Sequence, residues 1–434
     1  MVAPASANFI PLSAFDMHQE PIKLNPFKSC NLPPGHFMMP TRLFATALLL
    51  FASLAAHAAT VDGPPLRKDL NEQVLMLPVK PGIFGFDLET TLFKPDGPGP
   101  FPLVVINHGK MRGVGAFQAR ERYTAVAEEF LKRGYLVALP MRRGFSRSGS
   151  AYPDVGCNLE QDARNQADDV IRVIELLRQR PDVDGTRILV MGQSHGGFAS
   201  VAVAEREVGG LKAVINFAGG LRFTDTSFCN WEPALKNAFS SLGKKAKVDS
   251  LWFYGANDGF FPPDIAQALH DNYTASGGHA ELVAYPAFRI DAHGMFGTRD
   301  GFAQVWWPKA EPFLKAHGLP TAIVNPQYQP PAPPKPSGYA DSPRNINVLP
   351  LASEACKNAY RKFIDDNAPP RAFAFSGDGA CGWAADSDDA GFFALKGCKS
   401  FAKKPCQLYL IDNAVVWPVD AAATVAAPQT TPES

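Results

Sequence analysis

The stretch RILVMGQSHGGFASVAVA, Arg187 to Ala204, sets a short apolar run directly before a glycine-bracketed serine and an Ala- and Val-rich segment directly after it. The first part reads as a buried strand and the last as a packed helix. Ser194 is then left on the turn between them. Gly192 and Gly196, two residues to either side, let the backbone bend sharply without side-chain collision, which would present the hydroxyl at the carboxyl edge of a sheet. Gly197 would let the helix pack close. A GxSxG pentapeptide alone is weak, because small residues cluster by chance; the strand before it and the helix after it are what make it informative.

Other segments extend the same pattern outward. Pro102–Asn107, Tyr135–Pro140, Arg187–Gly192, Lys212–Gly219, Ser250–Gly255 and Ala280–Pro286 are short, apolar and bounded by Gly, Pro or Asn, as strands of a mainly parallel sheet are. Between them lie helical patterns. In Leu159–Arg180, Leu159, Ala163, Ala167, Val170, Ile171, Ile174 and Leu177 fall on one face at helical spacing. Strand and helix alternating in this way predict an α/β doubly wound architecture, with segments near Glu72–Val79 and Leu88–Phe93 as an antiparallel edge.

A serine hydroxyl is a poor nucleophile at neutral pH, so Ser194 needs a base and a group to orient that base. Asp258 follows the strand ending at Gly255, whereas Asp264 falls in the next helix and Asp225 in an earlier loop, which makes Asp258 the preferred carboxylate. For the base, His293 lies in a loop beyond the last strand. His270 and His279 precede that strand, His317 sits in a terminal helix, and His108 and His195 belong to other loops. The expected chemistry is acyl transfer. His293 takes the Ser194 proton, Asp258 fixes the imidazole tautomer, and two main-chain N–H groups hold the oxyanion. Those donors are expected at His195, opening the helix, and at Lys110 after PLVVINHGKM, with Met111 as neighbour.

Five segments, INHGK, MRRGFSRSG, RILVMGQSHGG, YGANDGFFPP and DAHGMF, resemble the α/β-hydrolase superfamily, in particular its dienelactone hydrolase-like and prolyl-oligopeptidase-like branches. The resemblance runs over about Val79 to Leu319, and Ser194, Asp258, His293 is that family's chain order. It implies a serine hydrolase with backbone oxyanion donors and no cofactor. One departure matters: dienelactone hydrolases proper use a cysteine nucleophile, so ester hydrolysis is a safer expectation here than lactone cleavage.

The ends of the chain carry other information. Met39–Arg42, an apolar run and Ala56-His57-Ala58 form a signal-peptide pattern, placing a cleavage after Ala58 and a translation start at Met38 or Met39. A periplasmic or secreted location follows, with no stable membrane anchor expected. Removing residues 1–58 takes three basic and two acidic side chains from an initial 42 of each. The balance stays near zero, which argues against nucleic acid or an anionic membrane as the main partner. Six cysteines remain of seven, Cys157, Cys229, Cys356, Cys381, Cys398 and Cys406. An even set in an exported chain predicts disulfides, and no spacing matches a four-ligand zinc site, so no metal is expected.

Domain expectations follow from composition. Residues 59–320 form the catalytic block, 321–350 a proline-rich linker, 351–418 a small α+β module and 419–434 a disordered tail. Residues 220–249 leave room for one helix, Glu232–Leu242, and not for a large lid, so an open site is expected. Cys157 and Cys229 should bridge near its mouth, with Trp231, Phe260 and Phe261 as pocket walls. In the module, two similar units each run from a helical piece through an aromatic strand to a turn and a strand ending in tryptophan. Its four cysteines allow three pairings that sequence does not rank. The substrate is expected to be a small ester or peptide, and the module's partner stays open. Three functions compete: a serine esterase, a serine peptidase of the same fold, and an inactive binding protein.

Overall fold

The computed structural model describes residues 63–83, 85–223, 228–350 and 352–419. The signal-peptide pattern, Asp225 and the tail beyond residue 419 lie outside the described residues. Eight strands make the main sheet: β1 (Gln73–Lys80), β2 (Phe86–Phe93), β3 (Phe101–Asn107), β4 (Leu136–Pro140), β5 (Val183–Gln193), β6 (Leu211–Phe217), β7 (Ser250–Gly255) and β8 (Ala280–Tyr285). Their spatial order is β1-β2-β4-β3-β5-β6-β7-β8, with β1 and β2 antiparallel and β3 to β8 parallel. The α/β-hydrolase architecture expected from the sequence is the one the chain adopts.

Among the described residues, six helices flank this sheet: α1 (Thr124–Lys132), α2 (Leu159–Leu177), α3 (His195–Val203), α4 (Trp231–Gly243), α5 (Pro263–Ala275) and α6 (Trp307–Ala316). Strand alternation feeds two apolar layers. Leu103 and Val105 of β3 point into the layer under α2 to α5, while Val104 and Ile106 point into the layer under α1 and α6. Of the stripe read from sequence on α2, Leu159, Ala163, Ala167, Val170, Ile174 and Leu177 are at 1% exposure or less, while Ile171 at its edge is half-buried. Pro233 sits in the first turn of α4, where its missing N–H costs nothing.

Residues 321–350 do not stand free of the body. The main-chain N–H groups of Val324 and Asn325 donate to the Lys132 carbonyl, and the buried Tyr328 hydroxyl accepts from Asp96 N–H at 2.8 Å. Farther on, Ser337 N–H donates to Val415 in the second sheet. That second sheet contains β9 (Arg371–Ser376), β10 (Cys381–Ala385), β11 (Cys406–Ile411) and β12 (Ala414–Val415), in the order β10-β9-β11-β12. Helices α7 (Glu354–Asp366) and α8 (Ala390–Lys399) each precede one of its hairpins, giving the twofold repeat of helix and hairpin. Trp417 falls just past β12 and packs near Tyr339 and Tyr409.

All six described cysteines are paired: Cys157–Cys229, Cys356–Cys381 and Cys398–Cys406. The first pair closes a separation of 72 residues. Tethering a loop of that length removes enough freedom from the unfolded chain to stabilise the fold by ~4 kcal/mol. Replacing both Cys157 and Cys229 by Ala should therefore lower the unfolding free energy by about 3 to 4 kcal/mol in a denaturant titration. A loss under about 1 kcal/mol would show that the loops are held by packing instead.

Candidate active site

Ser194 stands where β5 ends and α3 begins, with φ 57° and ψ −126°. A positive φ is strained for a residue with a Cβ and persists only where surrounding structure holds it. Here the hold is explicit. Ser194 N–H donates to the Phe217 carbonyl at 2.9 Å, and its own carbonyl accepts from Phe198 at 3.0 Å and Gly220 at 3.2 Å. The glycines follow from close approach: a Cβ on Gly196 would lie 2.1 Å from the Asn107 carbonyl oxygen, and one on Gly192 would lie 2.4 Å from the Gly196 oxygen.

Asp258 and His293 meet across two loops. His293 Nδ1 lies 3.1 Å from both carboxylate oxygens of Asp258, which is 4% exposed. Asp258 Oδ1 also accepts from the Phe260 N–H at 2.8 Å and the Phe261 N–H at 2.9 Å, so the carboxylate is aimed by main chain. Donation from Nδ1–H to the carboxylate leaves Nε2 with its lone pair, the tautomer a general base needs. Gln193, next to the serine, donates to the His293 carbonyl at 2.8 Å and so ties the two loops together. The Ser194 hydroxyl itself has no hydrogen-bond partner among the described residues.

Two residues not singled out by the sequence hold the histidine loop. Asp291 Oδ1 accepts from His293 N–H at 2.9 Å and Gly259 N–H at 3.1 Å. Asn257 donates to the carbonyls of Arg289 and Ile290 at 3.1 Å each and accepts from Phe288 N–H at 2.9 Å. Both sit within two residues of Asp258 or His293, which is the only signal the sequence offers for them.

The expected oxyanion donors can be ranked by what their N–H groups already do. Met111 N–H is engaged by Gln118 Oε1 at 3.0 Å. The Lys110 and His195 N–H groups have no acceptor among the described residues, and Gly109 sets the Lys110 loop against the serine, a Cβ there lying 3.4 Å from Ser194 Cβ. Lys110 carries its ammonium 5.8 Å from the centre of the Tyr152 ring, and burial lowers its pKa.

Beneath these donors lies a buried polar network that sequence reasoning missed. Fully buried Arg142 donates from Nη2 to the His108 carbonyl at 2.7 Å and lies 3.2 Å from His195 Nδ1, while its Nε donates to Gln166 at 2.9 Å. His195 Nε2 in turn lies 2.6 Å from Asp162, which also accepts from the Tyr152 hydroxyl. Burial pushes the Arg142 pKa down to about 10, leaving it cationic at neutral pH. Burial also holds His108 well below its ordinary range. One guanidinium thus fastens both chain segments that carry the free N–H groups.

Of the three expected pocket walls, Phe260 is the one presented to the opening: it is 37% exposed, with its ring stacked 4.4 Å from the His293 ring. Phe261, 1% exposed, and Trp231, 9% exposed, are packed into the core with ring centres 6.2 Å apart. The Phe261 ring also lies 5.8 Å from the His293 ring, so its buried face borders the site.

A family model described as X-Pro dipeptidyl-peptidase (S15 family) matches residues 85–248. No curated protein matches the chain. Among solved structures, a Klebsiella pneumoniae protein assigned as a dienelactone hydrolase is similar at 17% identity over 57% of this chain and 98% of its own, with a TM-score of 0.39. An esterase of Pyrococcus furiosus is similar at 16% identity, 59% and 95% coverage and a TM-score of 0.42. The acylaminoacyl peptidase of Pyrococcus horikoshii is similar at 19% identity, covering 56% of this chain and 41% of its own, with a TM-score of 0.42.

Proposed function

We propose that this α/β-hydrolase-fold chain is an exported serine hydrolase that cleaves carboxylic esters through an acyl-enzyme. The observation that carries the reading is the Asp258–His293 pair, held by main chain and tied through Gln193 to the strained turn that presents Ser194. In the first half-reaction His293 Nε2 takes the Ser194 proton as Oγ attacks the ester carbonyl carbon. Charge collects on the carbonyl oxygen, where the Lys110 and His195 N–H groups stabilise it. The carbonyl re-forms, the alkoxide leaves with the proton from His293, and the acyl group stays on Ser194. Water then repeats the sequence, and the acid leaves.

Amide cleavage by the same groups is the second reading, favoured by the peptidase family model over residues 85–248. The ester reading is placed first because it asks of the site only Ser194, the Asp258–His293 pair and the main-chain donors; the amide reading would draw in addition on Asp291, which is exposed and, among the described residues, has only Oδ1 engaged, by the His293 and Gly259 N–H groups. Three disulfides support export.

The test is a panel of acyl p-nitrophenyl esters against aminoacyl and X-Pro p-nitroanilides. Esters are expected to give a burst of p-nitrophenol equal to the enzyme concentration, followed by steady turnover. A kcat/KM for any X-Pro anilide above that of the best ester would overturn the ester assignment in favour of the peptidase. Silence across the whole panel would favour an inactive binding protein.

A further inference from the structure

Among the described residues, the module after residue 350 meets the hydrolase body at the acidic turn Asp386 to Asp389, and two of its contacts lead toward the histidine loop. Asp386 lies 3.2 Å from Arg289 Nη1. Arg289 sits four positions before His293 and also donates to Asp300 at 2.7 Å, so it spans the loop on which the histidine stands. Asp388 Oδ2 accepts from Ala125 N–H at 2.7 Å and Thr124 Oγ1 at 2.6 Å. That carboxylate caps α1, whose own N-cap residue, Tyr123, has φ 41° and supplies no side-chain cap. Asp389 accepts from the almost fully buried Arg122 at 2.8 Å.

Tyr123 explains why capping α1 bears on the chemistry. Its ring packs 5.0 Å from Phe296 and lies against the backbone of Gly297, both in the short helix Ala292–Gly297 that carries His293. Phe296 in turn packs 4.4 Å from Phe217, whose carbonyl holds the Ser194 N–H. A helix whose first turn lost its acceptor would fray at the residue that supports the histidine from below.

We propose that the C-terminal module is a built-in brace for the histidine loop, with Asp386 and Asp388 as positioning residues acting through Arg289 and through α1 and Tyr123. The module is then a structural partner of the site in the same chain. The catalytic part of this inference rests on the serine hydrolase reading.

The experiment uses the full chain with Asp386→Asn, Asp388→Ala, the double variant and Asp388→Asn. Asparagine accepts the positive φ of 58° at position 386, and that side chain is 59% exposed, so Asp386→Asn keeps the fold. Active sites are titrated by the p-nitrophenyl ester burst, so that unfolded protein does not count. Hydrogen exchange is followed at residues 286–300. The double variant should lose roughly tenfold in kcat per titrated site with KM within about twofold, since small misplacements of a base are costly. Asp388→Asn, which keeps an acceptor for α1, should restore much of the loss, and exchange at 286–300 should quicken in the double variant. Turnover per titrated site within about twofold of wild type would overturn the brace. If the wild type shows no burst, the hydrolase reading fails separately, and unchanged exchange at 286–300 would then sink the brace on its own.

Discussion

Ser194→Ala should lower kcat for p-nitrophenyl ester hydrolysis by on the order of 10⁵-fold while leaving the unfolding transition nearly in place. The hydroxyl makes no hydrogen bond among the described residues, so its removal orphans no partner and changes chemistry alone. Asp258→Asn should cost about 10⁴-fold, because an amide in that position no longer selects the Nδ1–H tautomer of His293. The two losses should not add in the double variant, since the groups act as one unit. Residual burst kinetics in Ser194→Ala would mean that another nucleophile forms the acyl-enzyme, and the proposed reaction would have to be abandoned.

Gly196→Ala is expected to invert the usual rule for helices. Alanine inside a helix ordinarily stabilises it by about 1 kcal/mol relative to glycine. At this position the new methyl group would sit 2.1 Å from the Asn107 oxygen and 2.5 Å from the His108 oxygen, both main-chain atoms of the segment leading to Lys110. Neither can move without displacing β3 or the loop that Arg142 fastens. Overpacking of this kind costs ~3 kcal/mol or more, so a thermal or denaturant midpoint should drop clearly. Any folded fraction should also show a raised barrier, because the Lys110 N–H moves with the segment. A variant as stable and active as wild type would show that the loop has slack the structure does not display.

Much of the fold is legible in the amino-acid sequence, and so are the three residues of the candidate site, of which the structure brings Asp258 and His293 into contact. Buried parallel strands are continuous apolar runs, which is why β3 to β8 can be read directly, and the glycines around Ser194 announce a turn whatever the rest of the chain does. Asp258 and His293 follow from their order along the chain and from the strands that precede them. Arg142 falls within MRRGFSRSG, but nothing there assigns it a role, and Asp162, Tyr152 and Gln166 give no local sign at all: polar residues spread over 25 positions look like solvated surface until tertiary packing brings them together, Tyr152 half-buried and the other three buried. Trp231 and Phe261 read as pocket walls; both are largely buried, and the Phe261 ring lies 5.8 Å from the His293 ring. The acidic run at Asp386 to Asp389 carries no local sign that its partners lie more than 90 residues earlier. Likewise, the second-sheet cysteines can be counted but not paired, because pairing depends on which hairpin each helix leans on.

The cap on α1 has a consequence for the order of assembly. Ala125 receives its acceptor from a residue 263 positions downstream, so the first turn of a helix in the main core lacks its protein acceptor until residue 388 has docked. Closing so long a loop is slow, so α1 would stay frayed at Tyr123 during folding until that segment docks. The first turn of α1, and the support it gives the histidine loop, is thereby completed only once the segment around residue 388 has reached it.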